Sequence, residues 1–197
     1  MILEWIANRK LRGTYVDVGA HIGNHSLFFA AFCPSTKLIC IEGHPEIRSL
    51  MAGNLKRNLT PEEFAKVHIY HGAAWSSRNE EVWFAPIPRN NAGHCHIAGS
   101  GGRGDEPKHT RQTTVTVDDC VASSGVNKLA VLKIDVEDTE EEVIDGALES
   151  IANHRPIVII ERHNQQQLRD TLRQLSPFGY GVTAEWKGVH TFALEST

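Results

Sequence analysis

Residues 16–24 read VDVGAHIGN, and the chain on either side shows what kind of segment this is. Upstream, TYVDV at 14–18 is apolar and β-branched enough for a buried parallel strand; downstream, NHSLFFAAF at 24–32 carries a helical apolar pattern. The segment is therefore a strand, a glycine turn and a helix. Gly19 and Gly23 let the backbone bend sharply and approach another group with no side chain between. The helix start supplies N–H groups that have no partner within the helix. Asp17 stands at the strand's end as an acceptor.

A turn of this kind in an α/β sheet makes a nucleotide or nucleoside pocket, and the spacing narrows the ligand. A dinucleotide fingerprint needs three glycines as GxGxxG, whereas Ala20, His21 and Ile22 separate Gly19 from Gly23, so a diphosphate is less well provided for. An acid, one residue, a glycine and a second glycine four on is closer to the S-adenosylmethionine loop of class I methyltransferases. The next apolar strand, KLICIE at 37–42, ends in Glu42, a suitable acceptor for ribose hydroxyls in either cofactor class. Glu42 thus supports a nucleoside without choosing between the two. His21, His25 and His44 flank these turns and face either adenosine edges or solvent.

Strand and helix patterns continue to alternate: helix 45–58, strand 67–71, then a strand at 81–85, EVWFA. The polar, glycine-studded run 86–111 reads as a mobile surface loop closing over a substrate. TTVTVDDCVA at 113–122 predicts a strand and short helix, KLAVLKID at 128–135 a strongly apolar strand, and PIVIIE at 156–161 another. Between these two, 139–151 predicts one helix with Val143, Ile144, Ala147, Leu148 and Ile151 on one face and a capping box from Thr139 to Glu142. Helix 164–175 and a closing hairpin, 179–186 and 188–194 around Lys187 and Gly188, complete the chain. The expected architecture is α/β: a Rossmann-like, mostly parallel sheet of six or seven strands, helices on both faces and one antiparallel strand at the end.

The chain has 197 residues, 41% of them hydrophobic, which suits one core and one domain over 1–197. A net charge of −4 with dispersed basic residues gives no footprint for nucleic acid. MILEWIANRKLRG at 1–13 is too polar and short for a signal or a membrane span, so a cytoplasmic location and no membrane partner are expected. Cys33, Cys40, Cys95 and Cys120 show no metal or disulfide spacing and read as reduced thiols. His94 and His96 lack a third ligand at usable spacing. A hard cation on Asp135, Glu137 and Glu161 is the stronger alternative, and no metal site is expected.

A second constellation is KIDVEDTE, 133–140. Lys133, Asp135 and Glu137 alternate along an extended chain and point toward the crevice at the carboxyl end of the sheet, where Glu161 and His163 stand two apart on the next strand. Asp135, Glu137 or His163 can serve as the base in a transfer to a hydroxyl, and Lys133 can neutralise the acids. The plainer readings are a Lys133–Asp135 ion pair and, for Glu140, Glu141 and Glu142, acids favoured by a helix dipole.

Taken together, VDVGAHIGNHS, CIEGHPE with Asn54 and Asn58 beyond it, HGAAWSS, NNAG, TVDD, LKIDVED and IIERH resemble the FkbM family of S-adenosylmethionine-dependent methyltransferases, over residues 14 to about 163. The resemblance implies a class I fold that moves a methyl group from S-adenosylmethionine to an oxygen of a small hydroxylated molecule, a sugar or another secondary metabolite. It places Asp17, Gly19, Ala20, His21, Gly23 and Asn24 at the methionine and adenosine loop, and Glu42 with Gly43 at the ribose. Ala73 and Ala74 fall near adenine, Asp135 and Glu137 beside the acceptor, with Asp135 also at the cofactor, and Glu161 and His163 on the neighbouring strand. The chain departs from the family pattern at His21, Gly43 and Asp138. It also lacks a longer N-terminal extension, so a second copy is expected to complete part of the acceptor pocket. The rival readings are a nicotinamide-dependent oxidoreductase and a nucleoside-binding protein without catalysis.

Overall fold

The computed structural model describes residues 2–87, 96–100, 108–187 and 191–196. Its first half runs α1 (Ile2–Arg9), β1 (Gly13–Val18), α2 (Asn24–Phe32), β2 (Ser35–Glu42), α3 (Pro45–Asn58), α4 (Pro61–Phe64) and β3 (Val67–His71). Four short strands follow, β4 (Ala73–Ala74), β5 (Glu81–Phe84), β6 (Ile97–Ser100) and β7 (Thr110–Val115), with α5 (Val117–Ser123) behind them. The remainder is β8 (Leu129–Ile134), α6 (Glu140–Asp145), α7 (Leu148–His154), β9 (Ile157–Glu161), α8 (Gln165–Leu175), β10 (Tyr180–Trp186) and β11 (Thr191–Ser196).

Seven strands form one sheet in the order β10-β11-β9-β8-β1-β2-β3. Every pairing is parallel except those of β11, which lies antiparallel between β9 and β10. This is the mostly parallel, Rossmann-like α/β sheet with a late antiparallel strand that the sequence predicts. Period-two alternation builds a core on each face. Val16, Val18, Ile39 and Ile41 pack with Val117, Val143, Ile144, Ile151 and Leu168 under α5–α8. Tyr15, Leu38 and Cys40 pack with Ile6, Phe29, Met51 and Leu55 under α1–α3. The strand order reverses between β1 and β8, and a crevice opens at their carboxyl ends, the usual ligand position in open α/β sheets.

Two expectations are corrected. The run 86–111 is not loop throughout, because Ile97–Ser100 pairs antiparallel with β5 and β7 begins at Thr110. Together with β4 these strands make a second sheet, β4-β7-β5-β6, over a small core of Ala73, Val82 and Phe84 with Ile97 packed on it. The apolar side chains of EVWF need a partner, and Ile97 supplies one. His94, Cys95, the NNAG motif and Gly188 lie outside the described residues. The helix predicted over 139–151 is also two helices, α6 and α7, and Thr139 makes no side-chain cap bond. The break has a tertiary cause. The Asp118 carboxylate accepts from the Glu149 and Ser150 N–H groups at 3.1 and 2.7 Å and so caps α7 from α5. Gly146, whose carbonyl accepts from the Asp118 N–H at 2.9 Å, is pressed against the Trp75 backbone.

Cys33, Cys40 and Cys120 are free and buried. No helix among the described residues is long and apolar enough to cross a membrane.

A Cβ at Gly146 would sit 2.0 Å from the Trp75 carbonyl oxygen. Gly146→Ala is expected to lower stability by about 1–3 kcal/mol through overpacking, read from the midpoint of urea unfolding. An unmoved midpoint would refute the contact.

Candidate functional site

The crevice is organised by charges fixed between β1 and β8. Asp17 and Lys133 are register partners on these strands, and both are buried. The Lys133 Nζ lies 3.0 Å from Asp17 Oδ1 and 3.2 Å from Asp135 Oδ2, and it donates to the Gly19 carbonyl at 3.4 Å. Ser26 Oγ donates to the other Asp17 oxygen at 2.6 Å. Burial disfavours the Lys133 charge, but Asp17 and Asp135 outweigh it and hold the ammonium group above its ordinary pKa. The alternation that turns Tyr15 toward α2 also turns Asp17 there, so Asp17 organises the rim from inside and lines none of its cavities.

Three hollows meet at this rim. The first, of about 290 Å³, has a floor of Val18, Ile41, Ala73, Ala74 and Phe84. Among the described residues its charged lining is Glu42, Asp135, Glu137 and Glu161, with no lysine or arginine. The second, of about 430 Å³, lies under α1 and α2 and includes Ile2, Phe29, Lys133, Asp135, Glu161 and His163. A smaller cleft of about 170 Å³ runs along the glycine turn past Gly19, Ala20, His21, Asn24, His25 and Asp135. Asp135 and Glu161 are the two residues common to the first and second cavities.

Glu42 closes one end of the first cavity. Its two carboxylate oxygens accept from the backbone N–H groups of His44 at 2.8 Å and His21 at 2.9 Å, which fixes its plane. Burial raises its pKa, against the pull of those two donors. The glycine turn itself is anchored to protein. Gly19 and Ala20 both donate to the Ile41 carbonyl, Gly23 donates to Ala20, and Asn54 Nδ2 holds the Ile22 carbonyl at 2.9 Å. The N–H groups of Gly19, Ala20, His21 and Gly23 thus all have protein acceptors.

The glycines have packing reasons of their own. Gly19 takes a φ of +70°, and a Cβ there would fall 1.9 Å from the Asp135 carbonyl oxygen. Gly23 has a φ of +91° and faces Met51 at 3.1 Å, away from all three hollows. Gly43 lines the first cavity, and a Cβ on it would strike the Phe84 ring at 2.3 Å.

At the opposite end from Glu42, Asp135 and Glu161 share a side-chain hydrogen bond. Burial opposes ionisation of Asp135, but Lys133 and the bond from Glu161 outweigh it and keep Asp135 below the usual carboxylate range. Burial, the bond to Asp135 and the charges of Asp135 and Glu137 push Glu161 up to about 8. The proton of the pair thus resides on Glu161 at neutral pH. His163 Nδ1 stands 3.9 Å from Glu161 Oε1 and lines only the second cavity, whereas Glu137 lines only the first. Among the described residues no cluster of histidines, cysteines and acids is arranged to hold a metal.

Sequence reasoning missed Phe84 and Ile97 of the second sheet, and weighed His96 beside them only as a metal ligand; all three line the first cavity. The only signal was the apolar EVWF. It also missed Arg162, which is fully buried and binds Glu140 at 2.7 Å, Thr171 at 2.8 Å, and Glu141. Glu140 and Glu141 therefore tie α6 to the end of β9, beyond any service to the helix dipole.

The sheet order, the crevice and its carboxylates define a Rossmann-like methyltransferase fold. Residues 17–181 match the methyltransferase FkbM domain, and the chain belongs to that family. It is similar to the methyltransferase FkbM of Methylobacillus flagellatus KT, with 18% identity and a TM-score of 0.65. That match covers 93% of this chain but 43% of the other, so the chain spans about two fifths of that protein's length. It is also similar to the precorrin-6y C5,15-methyltransferase of Geobacter metallireducens GS-15, with 14% identity, a TM-score of 0.52, and 96% and 84% of the two chains covered. The precorrin 8w decarboxylase of Methanobacterium thermoautotrophicum matches with 12% identity, a TM-score of 0.57, and 100% and 88% covered. No curated protein matches the chain.

Lys133→Met leaves Asp17 buried without its counter-charge, and is expected to cost about 3–5 kcal/mol in chemical unfolding. A loss below about 1 kcal/mol would show that Asp17 does not depend on Lys133.

Proposed function

We propose that this protein is an S-adenosylmethionine-dependent methyltransferase acting on a hydroxyl oxygen of a small molecule. One observation carries the reading: a cavity of mixed polar and apolar lining whose charged groups, among the described residues, are carboxylates, with a rigid acceptor, Glu42, at one end and the Asp135–Glu161 pair at the other. This donor set fits the cofactor. A sulfonium and an ammonium group gain from the carboxylates, whereas the diphosphate of a dinucleotide would face four acids with no lysine or arginine among the described lining residues. When bound, S-adenosylmethionine supplies an electrophilic methyl group whose C–S bond breaks, its electrons staying on sulfur, as the C–O bond forms.

Each residue then has a defined task. Glu42 keeps lone pairs for ribose hydroxyls after accepting its two backbone donors. Ala73, Ala74, Phe84 and Ile97 offer a flat base an apolar lining. Asp135 and Glu137 offset positive charge. Glu161 takes the hydroxyl proton on its carboxylate. It borders both cavities, and a carboxylate of raised pKa is a stronger base than Asp135, which Lys133 holds ionised.

Calorimetry with S-adenosylhomocysteine and NAD tests the cofactor. The first should bind, the second should not, and Glu42→Ala should weaken the first at least tenfold; NAD binding alone would overturn the reading. Turnover of any acceptor found among hydroxylated compounds should rise as pH passes through about 8, where Glu161 loses its proton. Glu161→Gln should remove that rise and lower the rate about 10²–10⁴-fold. A variant with the wild-type rate and pH profile would exclude Glu161 as the base.

A further inference from the structure

The second cavity has a chemistry of its own. Its apolar walls are Ile2, Leu3 and Ile6 of α1, Phe29 of α2, Ile134 at the end of β8 and Ile159 in the middle of β9. Its polar lining is His25, Lys133, His163 and Thr191 together with Asp135 and Glu161, the two that it shares with the first cavity. At about 430 Å³ it falls within the usual size range of small-molecule pockets, about 300–1,000 Å³. The helix that closes it is anchored by Ile6, which is fully buried, while Ile2 and Leu3, four and three residues earlier, share that face one turn nearer the rim.

We infer that this cavity is the acceptor site, and that it takes an alcohol or phenol whose hydroxyl is borne on an apolar body, in preference to a free monosaccharide; this rests on the methyltransferase reading given above. A hydroxyl at the mouth reaches the Asp135–Glu161 pair from the side opposite the first cavity, and the apolar body fills the space under α1. A free sugar would set those of its hydroxyls that face Ile2, Leu3, Ile6, Phe29, Ile134 and Ile159 against walls that offer them no hydrogen bonds, after they had given up water. α1 is thereby the element that selects the acceptor. The hydroxyl proton passes to Glu161 as the new C–O bond forms, and the sulfur leaves as a neutral thioether.

Saturation-transfer NMR with 2-naphthol and with methyl α-D-glucopyranoside as probes, on the full chain, tests the assignment. 2-Naphthol should bind and the glucoside should not. Leu3→Trp, which fills the cavity from α1, should weaken 2-naphthol at least tenfold while S-adenosylhomocysteine affinity, read by calorimetry, stays within twofold. Leu3→Glu should weaken it likewise, and circular dichroism confirms that each variant is folded. Glucoside binding without 2-naphthol binding, or 2-naphthol binding unchanged in both variants, would overturn the proposal. If 2-naphthol binds and responds to Leu3 while S-adenosylhomocysteine does not bind at all, the apolar site stands and the methyltransferase reading falls.

Discussion

Everything at the carboxyl edge of the sheet depends on one buried ammonium group. Lys133 sits between Asp17 on β1 and Asp135 at the end of β8, so the two strands whose divergence opens the crevice are joined there by charge as well as by backbone hydrogen bonds. A lysine so deeply buried is costly unless it is compensated, and two carboxylates compensate it. The arrangement fixes Asp135 in its ionised form. It also consumes Asp17, which leaves that residue a structural task inside the rim.

From that pinned charge the rest follows by proton bookkeeping. Asp135 does not readily take a proton, so the proton in its hydrogen bond with Glu161 belongs to Glu161, which is partly buried and faces the further charge of Glu137. The result is a carboxyl group whose pKa lies near neutrality, placed where two cavities of different chemistry meet. One is carboxylate-lined and suits a cationic nucleoside. The other has a mainly apolar lining under α1 and suits an apolar body. A hydroxyl and a methyl donor brought to that junction from opposite sides meet beside a base of suitable strength.

Much of this fold was legible in the sequence because it rests on local patterns. Apolar β-branched runs gave the parallel strands, and the 3.6-residue period gave α2, α3 and α8. Glu42 was legible as an acid ending a buried strand. What was hidden depends on tertiary neighbours. Nothing local distinguishes Asp118 as the cap of a helix some thirty residues on, yet that cap, with Gly146 against Trp75, splits the helix expected over 139–151. The turn glycines also have reasons that no spacing shows: Gly19, which lines two of the hollows, must clear the Asp135 carbonyl, and Gly23 takes a φ of +91° beside Met51. Ile97 joins the first cavity by antiparallel pairing with β5, inside a run whose composition suggested only loop. Glu161 was visible as a neighbour of the acidic motif. Its bond to Asp135 follows from the pairing of β8 with β9, which no spacing encodes.

The most direct test of this account is a carbon-13 NMR titration of the Asp135 and Glu161 side-chain carboxyls. Glu161 should remain protonated through neutral pH and titrate near about 8, while Asp135 stays ionised well below the usual carboxylate range. If both groups titrate like ordinary exposed carboxylates, Lys133 does not set the proton between them, and the junction is not the reacting centre described here.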